Sequence, residues 1–341
     1  MAVALVLGPG AWGPLRASHE HRAEALSATY RARRSAGETD AVDDFLWTYY
    51  SLRPGRLARW HPGAGVALLG LGQVPAGYRE VATDDGPAVT ADLDAFVQRH
   101  HGVLEWVAAV LGGVASRPAR HDCFGLHEWA MVYRADERRH RLPLRLGAAG
   151  TDAVVESLPL RCSHVDAYRF FTDEAVPRNA VVPTRTTQPE LDHAGCVHVT
   201  MDLLKWALKL GPLVPGELLL DCFRLARDAR TLDMRASPYD VSGHGYEAVA
   251  VETAAGRAAY AAQQRALAGR AVPLREGLMQ VCVSALRTGA DPQAALPLGR
   301  PGVLGVRPSL VGRDRDVGDG GLRAPRPAAR TPPDRHLPPG P

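Results

Sequence analysis

An abrupt change of composition near residue 290 sets the size of the folded part of this chain. Residues 291–341 contain 11 of the 27 prolines and have no Phe, Tyr, Trp, Met, Cys or Lys. Such a stretch cannot bury enough apolar surface to offset the entropy that is lost on ordering. The sequence therefore predicts one globular domain over residues 1–290, in which we expect any catalytic site, and a disordered Pro/Gly/Arg-rich tail over residues 291–341.

Within residues 1–290 the apolar residues recur mostly at the helical period. The pattern is clearest over residues 92–111, where Leu93, Val97, Leu104 and Val107 share one face. Similar patterns and helix start signals predict further helices at residues 18–35, 40–52, 199–210, 215–232 and 252–286. Residues 126–134 fit a helix or a strand equally well.

Strand signals are fewer and shorter. Residues 66–69 predict one strand, and residues 78–82 and 88–90 flank the turn sequence Asp84-Asp85-Gly86-Pro87, which indicates a hairpin. Residues 142–146 and 161–171 are expected to be extended. The expected fold class is α+β and helix-rich, a single globular domain with a small antiparallel β element.

Charge, cysteine and hydropathy exclude several classes of protein. The net charge of +3 is too small to indicate a polyanion partner by itself. Lysine occurs only at Lys205 and Lys209, which we attribute to codon bias in a GC-rich genome. Five widely spaced cysteines without a CxxC motif predict no disulfide partner. No apolar run reaches the ~20 residues of a membrane span, and residues 1–7 do not resemble a signal peptide, so we expect a cytoplasmic protein.

Four segments concentrate residues that bind metals or transfer protons. They are Cys123–Trp129, Cys162–Asp166, Cys196–His198 together with Asp202, and Asp233–Asp240. His198 and Asp202 would share one face of a helix, and His164 and Asp166 one face of an extended segment. If the two pairs converge, imidazoles and carboxylates suit a divalent metal site or general acid–base catalysis.

The same residues also allow purely structural roles. Each His–Asp pair can be a hydrogen bond within the core, and each cysteine a small buried apolar residue. Asp233 and Arg235 can form an ion pair that orders the loop before Pro238. Only their arrangement in space separates these interpretations.

Two features upstream have competing interpretations. Residues 45–61 interleave aromatic rings with arginines, which suits contacts to bases and phosphates but also an amphipathic helix with its rings turned inward. Residues 61–67, His-Pro-Gly-Ala-Gly-Val-Ala, are similar to a phosphate-binding hairpin. The residues that follow favour a strand and turn over the helix that such a hairpin needs.

Taken together, five stretches resemble a family of actinobacterial proteins labelled 3-methyladenine DNA glycosylase. They are DFLWTYYSLRPGRLARWHPGAG, CFGLHEWAMVYR, LRCSHVDAYRFF, GCVHVTMDLLKWALKL and DMRASPYD, which together span about residues 43–265. The resemblance implies a DNA base-excision repair enzyme that releases alkylated purines by hydrolysis of the N-glycosidic bond. Damaged DNA would be its partner, and no cofactor would be needed.

The glycosylase resemblance also implies residue roles. The damaged base must leave the stack and enter a pocket. A carboxylate would stabilise the developing positive charge or activate water, and the candidates are Glu128, Asp166 and Asp233. Rings would sandwich the base, and the candidates are Trp129, Tyr133, Tyr168 and Trp206. Arginines would hold the DNA, and the candidates are Arg53, Arg56, Arg59 and Arg235.

Two alternatives stand beside the glycosylase hypothesis. The first is a metal-dependent enzyme acting on a small molecule, with Zn or Fe bound by His127, His164, Asp166 and His198. It predicts stoichiometric metal, whereas a glycosylase predicts DNA affinity that falls steeply with salt. The second is a non-catalytic binding protein. All enzymatic hypotheses require that side chains from distant segments meet at one cavity.

Overall fold

Helices dominate the structure, a computed structural model that describes residues 3–136 and 140–290. The helix-rich α+β class predicted from the sequence is confirmed. The predicted disordered tail at residues 291–341 lies outside the described residues. Within the described ranges, every helix is too short or too polar to cross a bilayer.

The α-helices follow one another along the chain with a few longer and several very short members. They are α1 (Pro9–Ser35), α2 (Phe45–Tyr49), α3 (Pro54–Ala58), α4 (Leu93–Ser116), α5 (Leu126–Ala130), α6 (Gly147–Ser157), α7 (Val165–Tyr168), α8 (Gln188–Leu191), α9 (Val197–Leu210), α10 (Gly216–Ala236) and α11 (Ala254–Ala290). Single 3₁₀ turns lie at Val176–Arg178, Gly211–Leu213 and Ser242–His244. The helices predicted over residues 92–111, 199–210 and 215–232 are confirmed, and residues 252–286 form the single helix α11. Helix α1 begins at Pro9 and not at residue 18, and the helix predicted over residues 40–52 is shortened to α2.

Four strands form one small sheet. They are β1 (Leu5–Leu7), β2 (Val66–Leu69), β3 (Tyr78–Thr83) and β4 (Gly86–Ala91), in the order β1-β2-β4-β3. The predicted hairpin is the antiparallel pair β3–β4, and β2 pairs antiparallel with β4. Strand β1 pairs parallel with β2, so the sheet is mixed rather than purely antiparallel. A three-residue strand is too short to produce a recognisable alternation, and it was missed.

The extended prediction for residues 161–171 is wrong in its centre. Helix α7 occupies Val165–Tyr168, and only the residues just before it are extended. Four residues cannot display a helical period, which needs a window of more than ten residues. Residues 142–146 contain an isolated bridge between Leu144 and Tyr239, and residues 126–134 begin with the helix α5.

The glycine-rich loop at residues 61–65 leads into a strand, as expected, and not into a helix. The backbone nitrogen of Ala64 donates to the carbonyl of Leu213, and that of Gly216 donates to the carbonyl of His61. Gly63 has φ +93°, and a Cβ there would lie 2.9 Å from Cγ of Pro215. The loop therefore holds the start of α10, and glycine is required for this close approach.

The centre of the core is α9. It packs against α10 and α11, and ten of its apolar or hydroxyl-bearing residues as well as Asp202 are buried. Because α9 is buried on nearly all sides, a charged side chain on this helix has little access to water. Asp202 on α9, and Arg230 and Asp233 on α10, are each no more than 3 % exposed. Buried charges require partners, and those partners define the site described below.

A partly buried contact links the loop after α3 to the sheet. Nδ1 of His61 lies 2.7 Å from the hydroxyl of Tyr78. Burial and, after it, the neighbouring charge of Arg59 lower the pKa of His61 from 6.5 to about 4. The folded protein therefore resists protonation at His61 more than the unfolded chain does.

This contact predicts a loss of stability in mild acid. Stability from neutral His61 is fully present above about pH 6.5 and falls as the pH decreases towards 4. Glutamine at this position can still hydrogen-bond Tyr78 but does not titrate. Between pH 7 and pH 4.5 we therefore expect the free energy of unfolding to decrease by about 2 kcal/mol less in His61→Gln than in the unmodified chain. Urea unfolding at the two pH values measures this, with His101→Gln on exposed α4 surface as control. Equal losses in all three proteins would contradict it.

Candidate functional site

Three histidines from distant parts of the chain meet inside the domain. The ring centroids of His127 and His198 are 4.5 Å apart, and those of His164 and His198 are 5.3 Å apart. His127 lies on α5, His164 directly precedes α7, and His198 lies in the first turn of α9. The convergence on which every enzymatic hypothesis depended is therefore present.

A close approach between α5 and the end of α10 brings His127 to its partner. Gly125 precedes α5 in the left-handed conformation, with φ +72°, and a Cβ at this position would lie 3.2 Å from the Cβ of Ala236. Nε1 of Trp129 donates to the carbonyl of Ala236 at 2.8 Å. These contacts hold α5 against the last turns of α10, where Asp233 lies.

His127, His198 and Asp233 form the first of two groups, which we call the inner triad. One ring nitrogen from each histidine and one oxygen of Asp233 all lie within 4.8 Å of one another. Nε2 of His127 lies 2.8 Å from Oδ1 of Asp233. The other oxygen of Asp233 accepts from Nη1 of Arg230 at 3.2 Å, and the same nitrogen donates to Oε1 of Glu128 at 2.9 Å. Asp233 is therefore held from both sides.

His164, Asp166 and Asp202 form the second group, the outer triad, whose ligand atoms also lie within 4.8 Å of one another. Nε2 of His164 lies 3.2 Å from Oδ2 of Asp202. Nζ of Lys205 donates to Oδ2 of Asp166 at 3.1 Å and also to Oδ2 of Asp202. Arg185, which is exposed, donates to the remaining oxygen of Asp166. The outer triad therefore already contains a cation.

The surroundings of the three histidines shift their pKa values in different directions. Burial opposes protonation of all three, but Asp233 raises the pKa of His127 above its ordinary value, and Asp192 and Asp202 do the same for His164. Burial and the neighbouring His127 hold the pKa of His198 well below its ordinary value. His198 is therefore a neutral imidazole at pH 7, and its Nδ1 is buried with no hydrogen-bond partner among the described residues.

The carboxylates of the outer triad stay ionised. Burial alone would raise the pKa of Asp202, but Lys205 and His164 lower it to about 2. The pKa of Asp166 is also lowered against the effect of burial, first by Lys205 and then by His164. The outer triad is thus a fixed arrangement of charges over the neutral range of pH.

A small pocket opens onto both groups. Its volume is about 10 Å³, and it is lined by Phe45, Tyr49, Glu128, Met131, His140, Asp166, Phe170, His198 and Arg230. A cavity of this size holds about one water molecule, whereas pockets for small ligands usually span ~300–1,000 Å³. In this conformation it suits an ion or a water molecule and is too small for a nucleobase.

Three of the six residues predicted to do chemistry line this pocket, namely Glu128, Asp166 and His198. Asp233 does not line it but belongs to the inner triad with His198. Of the four predicted metal ligands, His127 and His198 belong to the inner triad, and His164 and Asp166 to the outer triad. The structure therefore divides the predicted set between two neighbouring positions instead of placing it around one ion.

The rings predicted to stack on a base lie in the core. All four are no more than 6 % exposed, and none lines the pocket: Trp129, Tyr133, Tyr168 and Trp206. The rings at the pocket are instead Phe45, Tyr49 and Phe170. Phe45 and Tyr49 stack on each other with centroids 4.9 Å apart, so each already has an aromatic partner.

Of the four arginines predicted to bind DNA, three are exposed, and the fourth bonds to other parts of the domain. Arg53, Arg56 and Arg59 are exposed, and Arg56 donates to the carbonyl of Leu208. Arg235 donates to the carbonyl of Glu247 and to Gln263. The ion pair considered for Asp233 and Arg235 is wrong, because residues two apart on a helix point in different directions and Asp233 pairs with Arg230.

Four charged members of the site were missing from the predicted set: Asp192, Asp202, Lys205 and Arg230. Asp202 was recognised by its spacing from His198 but not assigned a role. Lys205 lies three residues after Asp202 in an otherwise apolar helix, and Arg230 lies three residues before Asp233. An opposite charge at this helical spacing is the signal that would have found both.

Comparison of the chain with protein-family models, curated proteins and solved structures found no match. The resemblance to the glycosylase family therefore stays a prediction. The two triads and the pocket beside them are the observations from which a function can be proposed.

Proposed function

We propose that this chain is a metal-dependent enzyme that acts on a small molecule, with one divalent ion, Zn²⁺ or Fe²⁺, bound by the inner triad. The observation that carries the proposal is the approach of three ligand atoms, from His127, His198 and Asp233, to within 4.8 Å of one another. Two imidazoles and one carboxylate are a common donor set for catalytic zinc and for non-haem iron, and they leave coordination positions open for water and substrate.

The state of His198 supports this proposal. A metal ligand must be the neutral form of imidazole, and the low pKa of His198 keeps it neutral at pH 7, whereas an ion would have to displace the proton that Asp233 favours on His127. The buried Nδ1 of His198 lacks a partner among the described residues, which is costly for a polar atom unless a ligand compensates for it.

The partners of the inner triad match the second requirement of a metal site, which is fixed ligand orientation. Arg230 bonds the oxygen of Asp233 that does not face His127, and Glu128 in turn bonds Arg230. Such outer partners hold a ligating carboxylate in place and tune its charge. All of these side chains are at least nine-tenths buried, so their geometry does not depend on mobile surface groups.

The pocket indicates what the ion would do. A bound divalent ion lowers the pKa of a coordinated water and makes it a nucleophile at neutral pH. The pocket has the volume of about one water and borders both His198 and two carboxylates, Glu128 and Asp166. With an ion bound there, Glu128 would be placed to accept a proton from that water and return it to the leaving group, whereas Asp166, with both oxygens bonded to cations, would act as a fixed negative charge. The reaction class that fits is therefore hydrolysis.

Metal analysis tests the proposal. We expect the purified protein to bind one Zn²⁺ or Fe²⁺, and His198→Ala to weaken binding by more than about 100-fold, because loss of an outer partner alone typically costs 10–100-fold. Calorimetric titration of metal-free protein measures the affinity. His101→Ala is the control, since His101 is exposed on α4. Absence of metal binding, or equal affinity in His198→Ala, would overturn the proposal.

Glycosylase activity remains the alternative, and one observation favours it. Two of its predicted carboxylates, Glu128 and Asp166, line the pocket, and the third, Asp233, lies next to it. Against it, the four rings predicted to stack on the base are in the core and do not line the pocket. Release of 3-methyladenine from alkylated duplex DNA, together with DNA affinity that falls with salt, would replace the proposal above.

A further inference from the structure

We infer that Lys205 occupies the second cation position of a two-position centre, so that the native protein binds one metal ion and carries an ammonium group where a second ion would bind. The inner triad is the metal position and the outer triad the ammonium position. The inference rests on the proposed function in one respect only, which is the assignment of a metal to the inner triad.

The contacts of Lys205 are those that a bound cation would make. Its Nζ contacts Oδ2 of Asp166 at 3.1 Å and Oδ2 of Asp202, and Asp202 is also bonded to His164. The donor atoms of the outer triad are as close to one another as those of the inner triad. A histidine and two carboxylates are a complete donor set for a divalent ion, and here the ammonium group lies among them.

Burial makes a cation at this position necessary. The side chains of Asp166 and Asp202 are 8 % and 4 % exposed, respectively. Two carboxylates this close together and this far from water repel each other, and they remain ionised only with a positive charge between them. Lys205 contacts both carboxylates, and Arg185 at the surface pairs with the other oxygen of Asp166, so the chain itself supplies the positive charge and the outer triad does not depend on the supply of metal.

The identity of the residue fits this role. Only two of the 40 basic residues in the chain are lysines. Lys209 is exposed near the end of α9, whereas Lys205 lies between two buried carboxylates. An ammonium group is a compact point charge that can lie between ligand atoms as an ion does, whereas the planar guanidinium group of arginine is larger.

The two positions are adjacent, which gives the ammonium group a function. His198 of the inner triad and His164 of the outer triad stack with centroids 5.3 Å apart, and Asp166 of the outer triad lines the pocket. In two-metal hydrolases the second ion stabilises charge on an oxygen of the substrate or leaving group. A fixed ammonium beside the pocket offers the same stabilisation with one unit of charge.

Metal stoichiometry in lysine variants tests the inference. Metal-free protein would be titrated with Co²⁺, whose visible absorption reports bound ions, and the ion content checked by elemental analysis. We expect one ion per chain in the unmodified protein and in Lys209→Met, which changes the exposed lysine of the same helix. Lys205→Met should bind two ions, because the outer triad is then open.

The outcomes separate the two proposals. One ion in both the unmodified protein and Lys205→Met overturns the inference about Lys205 and leaves the proposed function standing. No ion in the unmodified protein but one in Lys205→Met overturns the proposed function and supports the role of Lys205. Two ions in the unmodified protein overturn the inference, because Lys205 would then not exclude the second ion.

Loss of Lys205 can also prevent folding without metal, since buried Asp202 would lose its ammonium partner and Asp166 would keep its pairing with Arg185 at the surface. In that case Lys205→Met would be refolded at increasing Zn²⁺ concentration and followed by circular dichroism. Recovery of the native signal with two ions bound supports the inference. Failure to recover at any Zn²⁺ concentration, while Lys205→Arg folds without metal, overturns it.

Discussion

Replacing Asp233 with alanine is expected to lower the free energy of unfolding by about 3–5 kcal/mol, the usual cost of removing one partner from a buried ion pair. The side chain of Asp233 is fully buried, and its two oxygens bond His127 and Arg230. Without it, Glu128 is the one carboxylate that still pairs with the guanidinium group of Arg230 within residues 3–136 and 140–290. Urea unfolding at pH 7 measures the change.

Asp228 provides a matched control for this prediction. It lies on the same helix, α10, and pairs with Arg270, but both side chains are more than 40 % exposed. Exposed ion pairs contribute little because water screens them, so Asp228→Ala should leave the unfolding midpoint nearly unchanged. If Asp233→Ala lost no more stability than Asp228→Ala, the buried network around the inner triad would not exist as described.

Replacing Trp129 with alanine is expected to cost a similar amount, about 3–5 kcal/mol, because it empties a large volume in the core. Trp129 has no exposed surface, and its Nε1 donates to the carbonyl of Ala236. The variant also removes the bond that holds α5 against α10. The same denaturation experiment measures the loss, and a reduced metal affinity should accompany it because His127 lies on α5.

This second prediction separates two roles for Trp129. A ring that stacks on a substrate base is exposed in the free protein, and its removal lowers activity while leaving stability nearly unchanged. Trp106→Ala on α4 is the comparison, since Trp106 is only partly buried and should cost less. A stable Trp129→Ala variant that had lost only ligand binding would contradict the core position and favour the base-stacking role.

The predictability of the fold depended on the length of each element. Helices α4, α9, α10 and α11 run over at least 14 residues and repeat their apolar residues often enough to be recognised. The hairpin was found from its turn residues. Strand β1 and helix α7 span three and four residues, and elements of that length are formed by contacts with the rest of the domain rather than by a local pattern.

The sequence indicated which residues lie at the site better than it indicated which of them form a triad together. The spacing of His198 and Asp202 correctly indicated that both face the same region, but each belongs to a different triad. Which imidazole meets which carboxylate depends on how α5, α9 and α10 pack, and the linear sequence does not contain that information. His164 and Asp166 do lie in one triad, although a helix and not a strand brings them there.

The sequence did not indicate the burial of two kinds of residue, the cations and the aromatic rings near the site. Arg230 and Lys205 resemble surface cations in the sequence, yet each is largely buried against carboxylates. Trp129 and Trp206 resemble ligand-binding rings beside polar motifs, yet they lie in the core. Burial is decided by the neighbours that a residue acquires in three dimensions, so composition and spacing alone could not distinguish these cases.

The position of α9 at the centre of the domain determines how ligand binding is lost when the protein is denatured. This helix carries His198, Asp202 and Lys205, and most of its residues are inaccessible to solvent. A buried central segment becomes accessible only when the whole cooperative unit unfolds, whereas a surface loop can unfold locally. Heat or denaturant should therefore abolish ligand binding in step with global unfolding, in an all-or-none manner and without a loosened intermediate.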